Sequence, residues 1–168
     1  MTPLLAALKP ICTAQMFNDL AHLPPSLELV EIEYARIGVD EVRRRRSNFA
    51  DVKPDFFKHL AQNQIQALTA MGLNANALAR MADGRTPENI DGQQLNASVD
   101  HMLSLNFGGS NDFENLSLVP TRFNALKDKL ENLQFQGVAI GTLITIMPRG
   151  RTQVPLIEGG FTRARLYA

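Results

Sequence analysis

The chain has 168 residues, 45% hydrophobic and 20% charged, with 17 basic and 17 acidic side chains in balance. That length suits one domain with a real core and is short for two, and no run approaches the ~20 apolar residues of a membrane helix. The single cysteine, Cys12, excludes an internal disulfide and any multi-cysteine zinc site, and zero net charge means that any nucleic-acid binding must rest on local charge.

The opening segment, MTPLLAALKPICTAQ, has a short apolar run with no basic residue before it, and Pro10 cuts it, so it does not read as a signal peptide. Pro24-Pro25 is a break, after which Ser26 to Tyr34 alternates polar and apolar with period two, the pattern of a half-buried strand. Arg43-Arg44-Arg45-Arg46 follows, either a solvated face or a phosphate-binding patch. Asp55, after Pro54, is placed to cap a helix through about Met71, with Phe56, Phe57, Leu60, Ile65 and Leu68 on one side and Gly72 at its end. Asn74 caps a second short helix, Ala75 to Ala82, which Gly84 closes in a left-handed conformation. The stretch from Arg85 to Gly92 reads as loop.

Ala97 to Asp100 is a short extended piece, Gly108-Gly109-Ser110-Asn111 is turn chemistry, and Leu116 to Val119 alternates as a second strand ended by Pro120. Thr121 is a good cap for a helix through about Gln134, with Phe123, Leu126, Leu130 and Leu133 as its apolar stripe. Val138 to Met147 is rich in β-branched residues, Pro148-Arg149-Gly150 reads as a turn, and two more short strands are expected before Ala168. The predicted fold class is α+β, in one compact domain with three parts. Residues 1-53 form an N-terminal extension, 54-136 the core, and 137-168 a C-terminal β element packed on it.

The chemistry concentrates between Ser98 and Lys129. Asp100 and His101 set a carboxylate beside an imidazole, a glycine turn leaves space in front of them, and Asn115, Asn124 and Lys127 follow. Adjacent strand residues point to opposite faces unless the strand ends there, so a shared cleft requires His101 to sit at a strand end. Phosphodiester hydrolysis needs an activated water, neutralisation of the phosphoryl oxygens and help for the departing 3′ oxygen. A histidine titrating near neutrality suits the first, and a divalent cation held by oxygen ligands suits the others. Asn124, early in its helix, offers a second oxygen donor, and Lys127, about one turn on, is placed for a phosphate.

From Val99 to Lys127 the sequence resembles the HNH (ββα-metal) endonuclease motif. The matching positions are Asp100, His101, Gly108-Gly109, Asn115-Leu116 and Asn124, about 30 of 168 residues. The steps of 14, 9 and 3 residues from His101 to Asn115, Asn124 and Lys127 are similar to those of HNH domains in RNA-guided CRISPR nucleases. The resemblance implies a ββα-metal motif packed against flanking helices, with His101 as general base, Asp100 and Asn124 as metal ligands, and Asn115 holding the loop and orienting His101. It also implies Lys127 on phosphate and one divalent cation, Mg2+ first, with Mn2+, Ni2+ or Zn2+ as alternatives. Arg122, Arg44 and Arg45 are further phosphate candidates. The stretch Leu78 to Pro87 is similar to HNH toxin domains of bacterial contact-dependent and secretion-system effectors.

The expected function is thus a metal-dependent DNA endonuclease, either cytoplasmic or delivered into a target cell, with DNA as partner and no membrane. As a toxin it would also meet an immunity or delivery protein. The rivals are a nucleic-acid-binding module that keeps the fold without the chemistry, and a ribonuclease. Blander readings hold elsewhere. Cys12 is a small buried hydrophobe, His59 a structural histidine among apolar residues, and the strand-rich tail is core and sheet edge. His22 has no identifiable partner.

Overall fold

A computed structural model describes residue 6 and residues 8–21, 27–87 and 97–150. Among them run helix α1 (Ala14–Ala21), strand β1 (Leu27–Glu33), helices α2 (Val39–Asn63), α3 (Ile65–Met71) and α4 (Ala75–Ala82), strand β2 (Ala97–His101), strand β3 (Leu116–Pro120), helix α5 (Thr121–Phe135) and strand β4 (Leu143–Gly150). The protein is mixed α+β, with two small antiparallel sheets among the described residues, β1 with β4 and β2 with β3. No helix among the described residues is long and apolar enough to cross a membrane.

The longest element departs from expectation. α2 begins at Val39, takes in all four arginines, and carries Pro54 in its interior, so Asp55 is not a cap. Proline removes one main-chain hydrogen bond and crowds the preceding turn. Fully buried Phe56, Phe57 and Leu60 follow within two turns and keep the helix docked. Asp40 and Glu41 in the first turn place negative charge where the helix dipole favours it. α2 runs unbroken across positions 53 and 54, where the extension and the core divide in the sequence reading.

Asn74 caps α4 by accepting from the Ala77 amide at 2.9 Å. Gly84 adopts φ +76°, and a Cβ there would lie 3.1 Å from the Pro54 carbonyl oxygen, so the α4 terminus packs directly on α2. Phe56, Phe57, Leu60, Leu68, Leu73, Ala77, Met81, Leu116 and Leu118 form the main core. β3 is buried on both faces. Leu116 and Leu118 enter that core, while Val119, on the alternate face, joins Leu8, Met16, Leu20, Leu126 and Leu130. Of the stripe expected on α5, Leu126 and Leu130 are buried and Leu133 is exposed.

β1 spans the predicted period-two segment, and its partner is β4, with Leu27 opposite Gly150 and Glu33 opposite Leu143. β4 starts later than the β-branched run suggested. Positions 137–142 turn instead, with Gly137 and Gly141 at positive φ, and the strand continues through Pro148-Arg149-Gly150, where a turn was expected. Tyr34, Phe107 and Ile144 make a third cluster that holds this sheet to α5 through Phe135. The loop after Thr86-Pro87, His22, and the two further strands expected beyond Gly150 lie outside the described residues.

Candidate active site

β2 and β3 form an antiparallel ladder from Ala97↔Pro120 to His101↔Leu116, and α5 follows β3 without a gap. Thr121, expected as the cap, is the first helical residue, and its hydroxyl lies 2.9 Å from Ser98 Oγ. His101 is the last residue of β2, the strand-end position that lets two consecutive side chains serve one space. Asp100, His101 and Asn124 border a single cavity of about 360 Å³, together with Arg46, Asp128 and Glu131.

The loop between the strands is built on Asn115 and the glycine pair. The Asn115 side chain accepts from the Leu103 amide (2.8 Å) and donates to the carbonyls of Leu103 (3.0 Å) and Ser110 (2.8 Å). Its carbonyl takes the Met102 amide at 2.8 Å, one residue beyond His101. Gly108 sits at φ +91°, and a Cβ on Gly109 would fall 1.8 Å from the Leu103 carbonyl oxygen. Arg45 closes the loop from α2, donating from Nη1 to the carbonyls of Gly108 (2.9 Å) and Gly109 (2.7 Å), with Nε on Glu41 at 2.7 Å.

His101 is held by a residue the sequence reading missed. Its Nε2 lies 2.8 Å from Asn111 Oδ1, while Asn111 Nδ2 donates to the Arg45 carbonyl at 2.8 Å. That second bond fixes the amide with its oxygen toward the ring, so Nε2 is the donor and Nδ1 of the neutral ring keeps its lone pair. Burial holds the imidazole below its ordinary pKa; the Asn111 hydrogen bond opposes this, and the positive charges of Lys127 and Arg46 reinforce it. The ring also packs against Phe49 with centroids 4.6 Å apart.

Lys127 corrects an expectation. Its side chain is 1% exposed and offers no surface to a phosphate. Nζ donates to Asp100 Oδ2 at 2.8 Å, to the His101 carbonyl and to the Met102 carbonyl at 3.1 Å, so it pins the end of β2. An ammonium has three protons, and these bonds use all of them. Glu131 Oε1 lies 3.9 Å away and has no hydrogen-bond partner among the described residues, although Oε2 accepts from Ser104 Oγ at 2.6 Å. Burial raises the Asp100 and Glu131 carboxyls above their ordinary range, with Lys127 pulling the other way in both.

The remaining predicted residues divide. Arg44 is exposed and paired with Glu41 at 2.7 Å, and Arg45 is committed to the glycine loop; neither reaches the cavity. The Arg122 side chain lies outside the described residues. His59 packs against Phe56 and Phe113, and half-buried Cys12 has its thiol pKa raised by burial. Asp128, Glu131 and Asn132 border the cavity and went unassigned, although they lie on the same side of α5 as Asn124 by helical spacing. Among the described residues no three His, Cys, Asp or Glu side chains are grouped to hold a metal ion.

No protein-family profile matches the chain, and no solved structure does. The chain is 30% identical over 121 residues to the uncharacterized protein YhhZ of Escherichia coli (strain K12), an alignment covering 68% of this chain. The chain spans 27% of the length of that curated relative.

Proposed function

We propose that this chain is a metal-dependent endonuclease of the HNH (ββα-metal) type that hydrolyses DNA phosphodiester bonds. The observation that carries the reading is the single cavity bordered by Asp100, His101 and Asn124, at the junction of β2 and α5. The donor chemistry fits a hard divalent cation such as Mg2+, with a carboxylate and an amide oxygen beside space for substrate. Mg2+ is usually held by one or two carboxylates, waters and substrate phosphate rather than by a dedicated cage, a pattern that Asp100 and Asn124 could serve. Asp100 and Asn124 would hold such a cation, which would supply Lewis acidity for the phosphodiester.

The protein's own groups do the rest. Asn111 holds His101 as the tautomer with its free lone pair on Nδ1, and burial keeps the ring neutral, so Nδ1 takes a proton from the attacking water. The water oxygen bonds to phosphorus as the bond to the 3′ oxygen breaks. That oxygen takes a proton from solvent to leave as a hydroxyl, His101 later returns its own proton to solvent, and the other product carries a 5′-phosphate. Asn115 and the glycine pair hold the loop that follows His101 in one shape. Lys127 fixes the Asp100 carboxylate and two carbonyls at the strand end, a positioning role.

His101→Ala is expected to lower plasmid nicking in Mg2+ or Mn2+ by at least about a hundredfold, the usual size of a lost general base. Cleavage at the wild-type rate would remove His101 from the chemistry. One observation favours a second reading, a binding module without catalysis: the Lys127 ammonium already occupies Asp100. Calorimetric titration with Mn2+ separates the two, because a module without metal shows no saturable heat at this site. Comparing cleavage of RNA and DNA of equal length addresses the ribonuclease alternative.

A further inference from the structure

A second cavity, of about 480 Å³, lies beside the first, and Arg46 and Asn106 border both. Its other guanidinium groups are Arg36, from the segment between β1 and α2, and Arg43, one turn before Arg46 on the same side of α2. The four-arginine run is thus sorted by helix geometry. Arg44 and Arg45 lie three and four residues from Glu41 and are paired with it. Arg43 and Arg46 turn the other way.

All three groove arginines are exposed. Arg43 makes a 3.4 Å contact with Asp40, whose side chain is 98% exposed, a pair of little energetic weight. Arg36 and Arg46 make no ion pair with any described residue. Val39 and Val42 line the same groove as its apolar part. Guanidinium groups without a firm carboxylate partner, spaced along a groove that opens into a site for a phosphodiester, offer forked donors matched to phosphate oxygens.

We propose that the second cavity is a phosphate-binding track. Arg36 and Arg43 hold the nucleic-acid backbone beside the bond to be cut, and Arg46 bridges from the track into the first cavity. The track deepens the nuclease reading and rests on it for the identity of the polymer. It explains how a chain of zero net charge holds a polyanion: Glu41 neutralises the inner arginines of the run and leaves the outer ones to face the groove.

The test is fluorescence anisotropy of the full chain with a short labelled DNA duplex in a magnesium-free buffer, repeated across a salt series. Arg36→Ala, Arg43→Ala and Arg46→Ala are each expected to weaken binding severalfold and to make the log–log salt slope shallower by about 0.9 for each phosphate released from an arginine. Arg44→Ala should change neither quantity. Equal affinity and slope in the three variants, an equal loss in Arg44→Ala, tighter binding of an RNA of the same length, or no binding by the wild type would each overturn the track. Plasmid nicking distinguishes this from failure of the nuclease reading. DNA held through the three arginines and never cut keeps the track and removes the enzyme. DNA cut without any dependence on them removes the track alone.

Discussion

Lys127 carries the largest single electrostatic commitment among the described residues of the fold. Its side chain and that of Asp100 are 1% and 8% exposed, so each charge depends on the other for its solvation. Lys127→Met strands a buried carboxylate and two carbonyls, and should cost about 3–5 kcal/mol of unfolding free energy in urea denaturation. Adding Asp100→Asn should recover part of that loss, and a double-mutant cycle reads the coupling directly. A single variant within about 0.5 kcal/mol of wild type, the usual effect of a surface substitution, would mean that the pair is not buried in solution. The sequence held a clue to this depth. Lys127 and Glu131 directly follow the apolar Leu126 and Leu130 and are buried with them on α5, where a lysine and a glutamate are out of place unless they are paired.

At the scale of elements, the loop from Met102 to Asn115 depends on backbone that only glycine permits at two points, for different reasons. Gly108 needs glycine for its positive φ, and Gly108→Ala should cost about 1–2 kcal/mol with the loop retained, because its nearest neighbour, Ile37, is at ordinary contact distance. Gly109 needs glycine for space, and Gly109→Ala meets a main-chain oxygen that cannot move without breaking the Asn115 hydrogen bonds. Thermal melts should therefore rank Gly109→Ala well below Gly108→Ala, and the reverse order would refute the steric account.

The glycine turn, the short strand from Ala97, the Asn74 cap and the helix after Pro120 were legible in sequence, because each rests on local chemistry. The strand end at His101 was only a condition that a shared cleft would impose. Pro54 misled, since local rules end a helix there and only the burial of Phe56, Phe57 and Leu60 carries it through. Asn111 gave no local signal. Its role depends on α2 bringing the Arg45 carbonyl to the loop, a contact across 66 positions.

Over the whole molecule, the first and last strands described meet in one ladder, with Leu27 facing Gly150 and the Tyr34 amide bonded to the Thr142 carbonyl at 2.7 Å. Deleting residues 137–168 removes β4, leaves β1 with an unpaired edge and takes Ile144 from the cluster with Tyr34 and Phe107. The shortened chain should melt at lower temperature and elute as larger species at raised concentration, since bare strand edges recruit one another. A melt and elution profile like those of the full chain would show the ladder to be dispensable. The ladder also imposes an order on synthesis. Phe107 and Phe135 stack with ring centroids 4.4 Å apart, and Tyr34 lies edge-on to both. This aromatic wedge beside the glycine loop is anchored to a sheet that cannot close until the strand ending at Gly150 has left the ribosome, so in the nascent chain that side of the loop lacks its support until residue 150 has emerged.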